Sequence, residues 1–562
     1  MSALTLTNLN SSSTLTAFAA VAATTYLLWY ASFYHQPSRR ISKKSSSSSS
    51  KSKSKAVSKL RTPPRVPYFI PMLGHTLSII SNPTKFIQQC HDKYGDVFTC
   101  TVLGEDITYF RGQPYLQKIT SASEQTAALI PAYRRIIAWL VGNDFFQPLS
   151  KAFYTNLSQA RIDDLTHAMA NMAMETWPKL IHATTTGRTE VEMRHVLNRM
   201  VLTLATQANV GDQVTRDHID AIFKRMELIE SDYSTWTMLT TYENSDKRVR
   251  KIARMELCDL FKQEALRRVE KIKRGEKVSN DLLTNLLLAD YFGKNMGSGK
   301  EYADSEDERA AQSDANEESP ALKRSPDQIL QVLSSVTFGS IFGAHTNTYL
   351  TTVLLLRELS KHPEYIRRIR DEAYAVFGTN PLQALLDPST PSSTLHECKE
   401  LLRCITETTR VYASGGILRM IVKEEGVALD DQYYLPKGSL VSAYTPLLNH
   451  SEEMYGKDNA ATWNPDRYLD EHRPSQMRFD ANIQAPVSTA RVTHISSFGC
   501  GRLVCPGRFL AYRIIQLVIL TLLLQWDVEE LIEDLGMTNP IVFPGMGMIS
   551  GHLRLALCKR SN

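Results

Sequence analysis

The sequence predicts a mainly α chain with small β-sheets: one large domain preceded by a single N-terminal transmembrane helix. Three observations carry this. Residues 14–34 form an uncharged, apolar stretch of bilayer length. Long segments of the body repeat apolar residues at helical spacing, while strand-like pieces are short and lie near 96–103 and 439–443. A glycine-rich loop then delivers a cysteine, Cys505, to the start of a long apolar helix.

At 562 residues the chain has room for several ordinary domains. No repeat or linker interrupts it between 68 and 293, so the body reads as one domain over 68–562. Hydrophobic residues at 43% and charged residues at 22% exclude fibrous and wholly disordered classes. Eight cysteines without a repeated C-x-x-C exclude a disulfide scaffold and a structural zinc module. The net charge of +5 is uneven. Residues 1–91 hold no acid and eleven of the 64 Lys and Arg, leaving 53 basic against 59 acidic residues in the remainder. A mildly acidic body argues against a nucleic-acid partner.

The N-terminal elements follow in order. Residues 1–13 are a short lumenal N-terminus. The stretch 14–34 spans about 30 Å as a helix, the thickness of a bilayer core. Tyr26, Trp29, Tyr30 and Tyr34 cluster towards its end as an interfacial belt would. Residues 1–13 have no basic side chain, unlike a cleaved signal peptide, so the helix reads as a retained anchor. Residues 35–67 are a basic Ser/Lys linker and a proline hinge with Pro63, Pro64 and Pro67. Its lysines and arginines place the body in the cytosol by the positive-inside rule.

In the body, helical periodicity runs over 219–239 and 247–273. Residues 293–324 break it: 301–320 hold eight acids and one base, Arg309, which reads as a disordered acidic insert. Ser325, Pro326 and Gln328 then make a capping box with proline at the first helical position. The helix they open runs to 360 and should cross the centre of the domain. Gly339 and Gly343 inside it imply that something approaches the backbone closely, or a local distortion.

The chemistry gathers at 497–511. Pro506 suits a first helical turn, and the helix runs through Trp526. A cysteine at a helix N-terminus has its thiolate favoured by free N–H groups and the dipole. Gly501 and Gly507 admit a flat ligand, and Phe498 covers the sulfur. Such a thiolate is a nucleophile or a metal ligand.

Phe498, Gly501, Cys505, Gly507 and Ala511 match F-x-x-G-x-x-x-C-x-G-x-x-x-A, which resembles the haem-ligand loop of cytochromes P450. Three further motifs follow the same order of resemblance: Glu407-Thr408-Thr409-Arg410 for E-x-x-R, the segment 463–468 with Arg467, and the segment 342–348 with His345 and Thr346. The resemblance covers about residues 60–560 and implies the cytochrome P450 fold, of microsomal, fungal-looking type. It also implies haem b with Cys505 as axial ligand. Glu407, Arg410 and Arg467 would form a structural network behind the loop. Thr346 would assist O₂ cleavage, with His345 relaying protons where the family usually has an acid. That pair is similar to the sterol demethylase branch. Leu503 replaces the family's propionate Arg or His, as in the branch of bile-acid hydroxylases and prostacyclin synthase; Arg419 matches the family's propionate arginine, and the second propionate partner is unassigned. Phe338, Ala344 and the segments 416–418 and 546–548 would line the pocket.

The implied activity is a mono-oxygenase: RH + O₂ + two electrons + two protons gives ROH + water. The electron donor would be NADPH-cytochrome P450 reductase, with cytochrome b5 as a further candidate. The substrate would be an apolar terpenoid, steroid or polyketide in secondary metabolism, and the location the endoplasmic reticulum membrane, single-pass. Two alternatives stand beside it: a non-oxygenating haem-thiolate isomerase or dehydratase, and a haem-binding scaffold without turnover.

Overall fold

A computed structural model describes residues 60–68, 73–102, 104–146, 151–181, 187–230, 245–293, 324–413, 415–455, 460–469, 497–499, 504–538 and 548–560. The expected anchor at 14–34, most of the expected acidic insert and Gly501 lie outside them. By its internal contacts the chain divides in two. In one unit, described over 60–63 and 427–435, Val427–Ala428 pairs antiparallel with Tyr434–Leu435, and Arg61 bridges to Tyr433. The other runs over Pro64–Gly426 and Pro436–Asn562 and holds every site residue below.

Its principal helices are α1 (Pro83–Tyr94), α2 (Leu129–Val141), α3 (Gln159–Leu180), α4 (Met193–Glu230), α5 (Ser245–Lys273), α6 (Pro326–Lys361), α7 (Pro363–Phe377), α8 (Lys399–Tyr412) and α9 (Arg508–Gln525). Strands Val97–Val102, Glu105–Phe110, Leu440–Tyr444, Gly416–Ile421 and Ala127–Ala128 form one sheet in that spatial order. A second sheet orders Arg188–Glu192, Leu553–Lys559 and Trp526–Glu533.

α6 packs against α4, α5, α8 and α9. Its capping box forms: Gln328 N–H donates to Ser325 Oγ, and Ser325 N–H to Gln328 Oε1. α9 is apolar on nearly every face. Among the described residues it is the one helix long and apolar enough to cross a membrane, yet 83% of it is buried inside the body. It is therefore core. It ends at Gln525 rather than continuing through Trp526, which instead opens the strand Trp526–Glu533.

α4 kinks at Gly211, whose φ of 74° suits glycine. The Val210 carbonyl lies next to this kink. Buried Arg268 of α5 donates to it at 2.6 Å and ion-pairs with Glu264 and Asp281. This clamp fixes the two helices that lie over α6.

His91 on α1 is buried, donates from Nδ1 to the Gly95 carbonyl at 3.1 Å and meets Phe98 edge to face. Burial lowers its pKa from 6.5 to about 4. Between those values the unfolded chain binds a proton that the native state does not, so stability is complete above pH 6.5 and falls as pH drops towards 4. The loss should reach about 3 kcal/mol. Urea unfolding at pH 7 and pH 5 should show a shallower pH dependence for His91→Gln than for the parent; equal slopes would contradict this.

Candidate functional site

The Cys505 loop is held from behind by buried charge. Glu407 and Arg410 on α8 are fully buried. Arg410 grips the carboxylate with two nitrogens, Nε to Oε2 at 2.9 Å and Nη2 to Oε1 at 2.8 Å. Arg467 Nε adds a bond at 2.8 Å, the Asn464 N–H one at 2.9 Å and the Tyr468 hydroxyl one at 2.9 Å. Further guanidinium donors go to carbonyls: Arg410 to Asn449, Ala460 and Thr462, Arg467 to Thr462. The Tyr455 ring lies under both guanidiniums. Burying three charges is tolerable only with this degree of hydrogen bonding.

The network reaches the loop through Asn449. Its Nδ2 donates to Arg410 O at 3.1 Å and to Ser497 Oγ at 3.2 Å, and Ser497 Oγ donates to Thr409 O at 2.7 Å. The loop's other end closes on itself, Cys505 N–H donating to Phe498 O at 2.8 Å. The Phe498 ring packs on Tyr512 of α9 at 5.6 Å, and the Tyr512 hydroxyl pairs with Thr406 of α8.

Cys505 is exposed on one side, three residues before α9 begins at Arg508. A Cβ at Gly507 would come to 3.8 Å from its sulfur. Protein still surrounds the thiol closely enough for burial to push its pKa up; the Gly507 N–H, the Arg508 charge and the Arg508 N–H pull it down. Those donors suit a thiolate once a cation stands beside the sulfur. Arg419, on the strand Gly416–Ile421, is 3% exposed.

On α6 an open stripe interrupts a buried helix. Gly343 and Asn347 are exposed, Ala344 and Thr346 half-buried. Nothing lies within 4 Å of where a Cβ on Gly343 would be. Phe338, an expected lining residue, is instead fully buried and stacked on Phe342; it stands on the far side of the helix from that stripe. Ile417 and Leu418 are likewise buried. These residues fit a haem: a sulfur open on one face, a glycine beside it, a buried cation for a carboxylate, and a helix stretch free of side-chain bulk.

His345 turns away from the stripe. Its Nδ1 lies 2.8 Å from Glu230 Oε1 on α4, and its Nε2 lies 2.8 Å from Asn198 Oδ1. Thr346 Oγ1 donates to the same Glu230 oxygen at 2.9 Å. Glu230 and Asn198 were not legible as site residues: more than a hundred positions separate them from His345.

A profile of the family described as Cytochrome P450 matches residues 64–544. The chain is 22% identical over 490 residues to a protein named lanosterol 14-alpha demethylase of Cunninghamella elegans, covering 83% of this chain and 85% of that one. It is 30% identical over 177 residues to a fumitremorgin C monooxygenase of Neosartorya fischeri, covering 31% and 32%. A solved cyanobacterial protein, CYP120A1 with retinoic acid bound, superposes with a TM-score of 0.63 at 17% identity, covering 89% of this chain and all of that one.

Glu407→Gln keeps the shape but removes the charge that two buried guanidiniums face. It should cost about 3–5 kcal/mol in chemical unfolding and release bound haem on gel filtration. A variant as stable as the parent would contradict the account of the network.

Proposed function

The chain belongs to the cytochrome P450 family, and on that premise we propose that Cys505 is the thiolate that holds its haem iron in a mono-oxygenase acting on an apolar small molecule. The observation that carries this is the Cys505 sulfur, open on one side beside Gly507 and surrounded on the other by N–H donors and Arg508. Bound through a thiolate, haem supplies O–O bond cleavage rather than reversible O₂ storage.

The chain's own residues then divide the work. Cys505 would hold the iron and Arg419 would pair with a propionate. The Glu407 network keeps the loop in place against the pull of ligation. Gly343 and Ala344 leave room on α6. Thr346 and Glu230 form the acid–alcohol pair, with the acid supplied from α4 rather than from position 345. His345 stands behind Glu230. An imidazole held between Glu230 and Asn198 orients that carboxylate. A non-oxygenating isomerase would have no use for this proton-holding chain.

Relatives named for lanosterol and fumitremorgin C, and a structural neighbour holding retinoic acid, support an apolar terpenoid, steroid or polyketide substrate. The uncharged stretch 14–34 with its basic collar supports a single-pass anchor in the endoplasmic reticulum membrane, and electrons from NADPH through a membrane-bound flavoprotein reductase, with cytochrome b5 as a second donor.

The full-length chain, reduced and treated with carbon monoxide, should show the red-shifted Soret band of thiolate ligation. Cys505→Ser should lose it; a band that survives the substitution refutes the assignment. A screen of apolar candidates with reductase should yield a product heavier by one oxygen atom. With that substrate, Glu230→Gln and Thr346→Ala should each lower product formed per NADPH by about 10²-fold while NADPH is still consumed. Unchanged coupling in Glu230→Gln would remove it from the proton path.

A further inference from the structure

Tyr349 follows His345 by one turn on α6, so the two side chains share a row of the helix. Their rings stack, with centroids 5.9 Å apart and planes 16° from parallel. An offset pair at this separation attracts. Tyr349 is half-buried.

α4 repeats the same spacing opposite them. Arg194 precedes Asn198 by one turn. Asn198 meets the His345 imidazole, and Arg194 hydrogen-bonds the Tyr349 hydroxyl. Two rings of α6 thus face two polar side chains of α4, pair by pair. Arg194 is itself anchored. A guanidinium nitrogen donates to the Gly551 carbonyl, and the Arg194 N–H donates to Glu192 Oε1 at 3.3 Å. That Glu192 oxygen also accepts from Leu553 N–H at 3.1 Å, and Glu192 Oε2 lies 3.0 Å from His552 Nδ1. The start of α4 is therefore tied to the head of the strand Leu553–Lys559, and the Tyr349 hydroxyl is held from that side.

The imidazole has to bridge two parts of one helix. Asn198 lies before the Gly211 kink of α4, whereas Glu230 is the last residue of that helix, beyond the kink. Among the described residues the Glu230 carboxylate hydrogen-bonds only His345 and Thr346. Turning the imidazole about its side-chain bonds would take Nδ1 away and leave the carboxylate with Thr346 alone. A second ring lying nearly flat against the imidazole opposes that turn, because rotation would drive the imidazole edge towards it.

We propose that Tyr349 is a positioning residue for the Glu230–Thr346 pair: stacked on His345 and held by Arg194, it keeps the imidazole turned towards Glu230. This rests on the haem-thiolate reading of Cys505 and on Glu230 as the acid. Tyr349 touches no reacting atom and acts only through His345.

The test uses the full-length, haem-loaded protein with hydrogen peroxide as oxidant and guaiacol as electron donor, so neither reductase nor natural substrate is needed. Cleaving the peroxide O–O bond at the haem also depends on a well-placed acid. Tyr349→Ala should lower kcat about tenfold and leave KM for peroxide within about twofold. Tyr349→Phe keeps the ring and should stay within about threefold of the parent. In a Glu230→Gln background Tyr349→Ala should cost no more than about twofold further, since the group it positions is gone. A Tyr349→Ala protein with an intact carbon-monoxide band that turns over like the parent overturns the proposal. So does a tenfold loss repeated in full in the Glu230→Gln background, which is what a merely structural role would give. A parent without the red-shifted carbon-monoxide band sinks the Cys505 reading, and a Glu230→Gln protein as fast as the parent removes the acid; the proposal falls with either.

Discussion

A carboxylate shared by two guanidiniums in the protein interior is the constraint on which the site depends. Taking Glu407, Arg410 and Arg467 out of water costs several kcal/mol per ion, and the Coulomb attraction alone does not guarantee repayment. The fold meets that cost by giving each charged atom a partner, and in doing so commits the segments around 449, 460–468 and 497 to one arrangement. Ser497, which Asn449 and Thr409 hold, opens the Cys505 loop. A loop with two flanking glycines would otherwise sample many conformations. Here it is pinned at Ser497 and closed at Phe498, so the sulfur is delivered to one place.

The central helix shows how one element serves opposite demands. Its two glycines are not equivalent: one admits an aromatic ring from another segment, the other keeps a space free. Close to them on the helix, Thr346 and His345 share one oxygen of Glu230 on α4, and His345 also meets Asn198 of the same helix. Placing the acid on a neighbouring helix makes its position depend on helix packing. This gives the Arg268 clamp at the α4 kink a consequence beyond stability, because it helps to fix the helix that ends in Glu230.

Local motifs were readable because their physics is local. The Ser325 capping box, the Glu407–Arg410 pair at i, i+3 and the cysteine ahead of an apolar helix follow from helical geometry over a few residues. The joining of Arg467 to Glu407 came from family resemblance, since nothing in the spacing of sixty residues demands it. The pocket guess at Phe338 failed for a related reason. α6 is apolar on almost every face, so its periodicity does not tell which side opens to a cavity. His345 was assigned from its neighbour Thr346, but adjacent residues on a helix point about 100° apart, and only the position of α4 shows that Glu230 receives both.

What the amino-acid order determined by itself is the mainly α body, the uncharged N-terminal stretch, the thiol at a helix start and the charged motif on α8. Each of these depends on interactions between residues close in sequence. What only the tertiary structure decided is which carboxylate faces Thr346, which glycine is filled by Phe145 and how the Glu407 network reaches Ser497. Those are contacts between distant segments, set by the packing of whole helices, and no local pattern of apolar or charged residues encodes them.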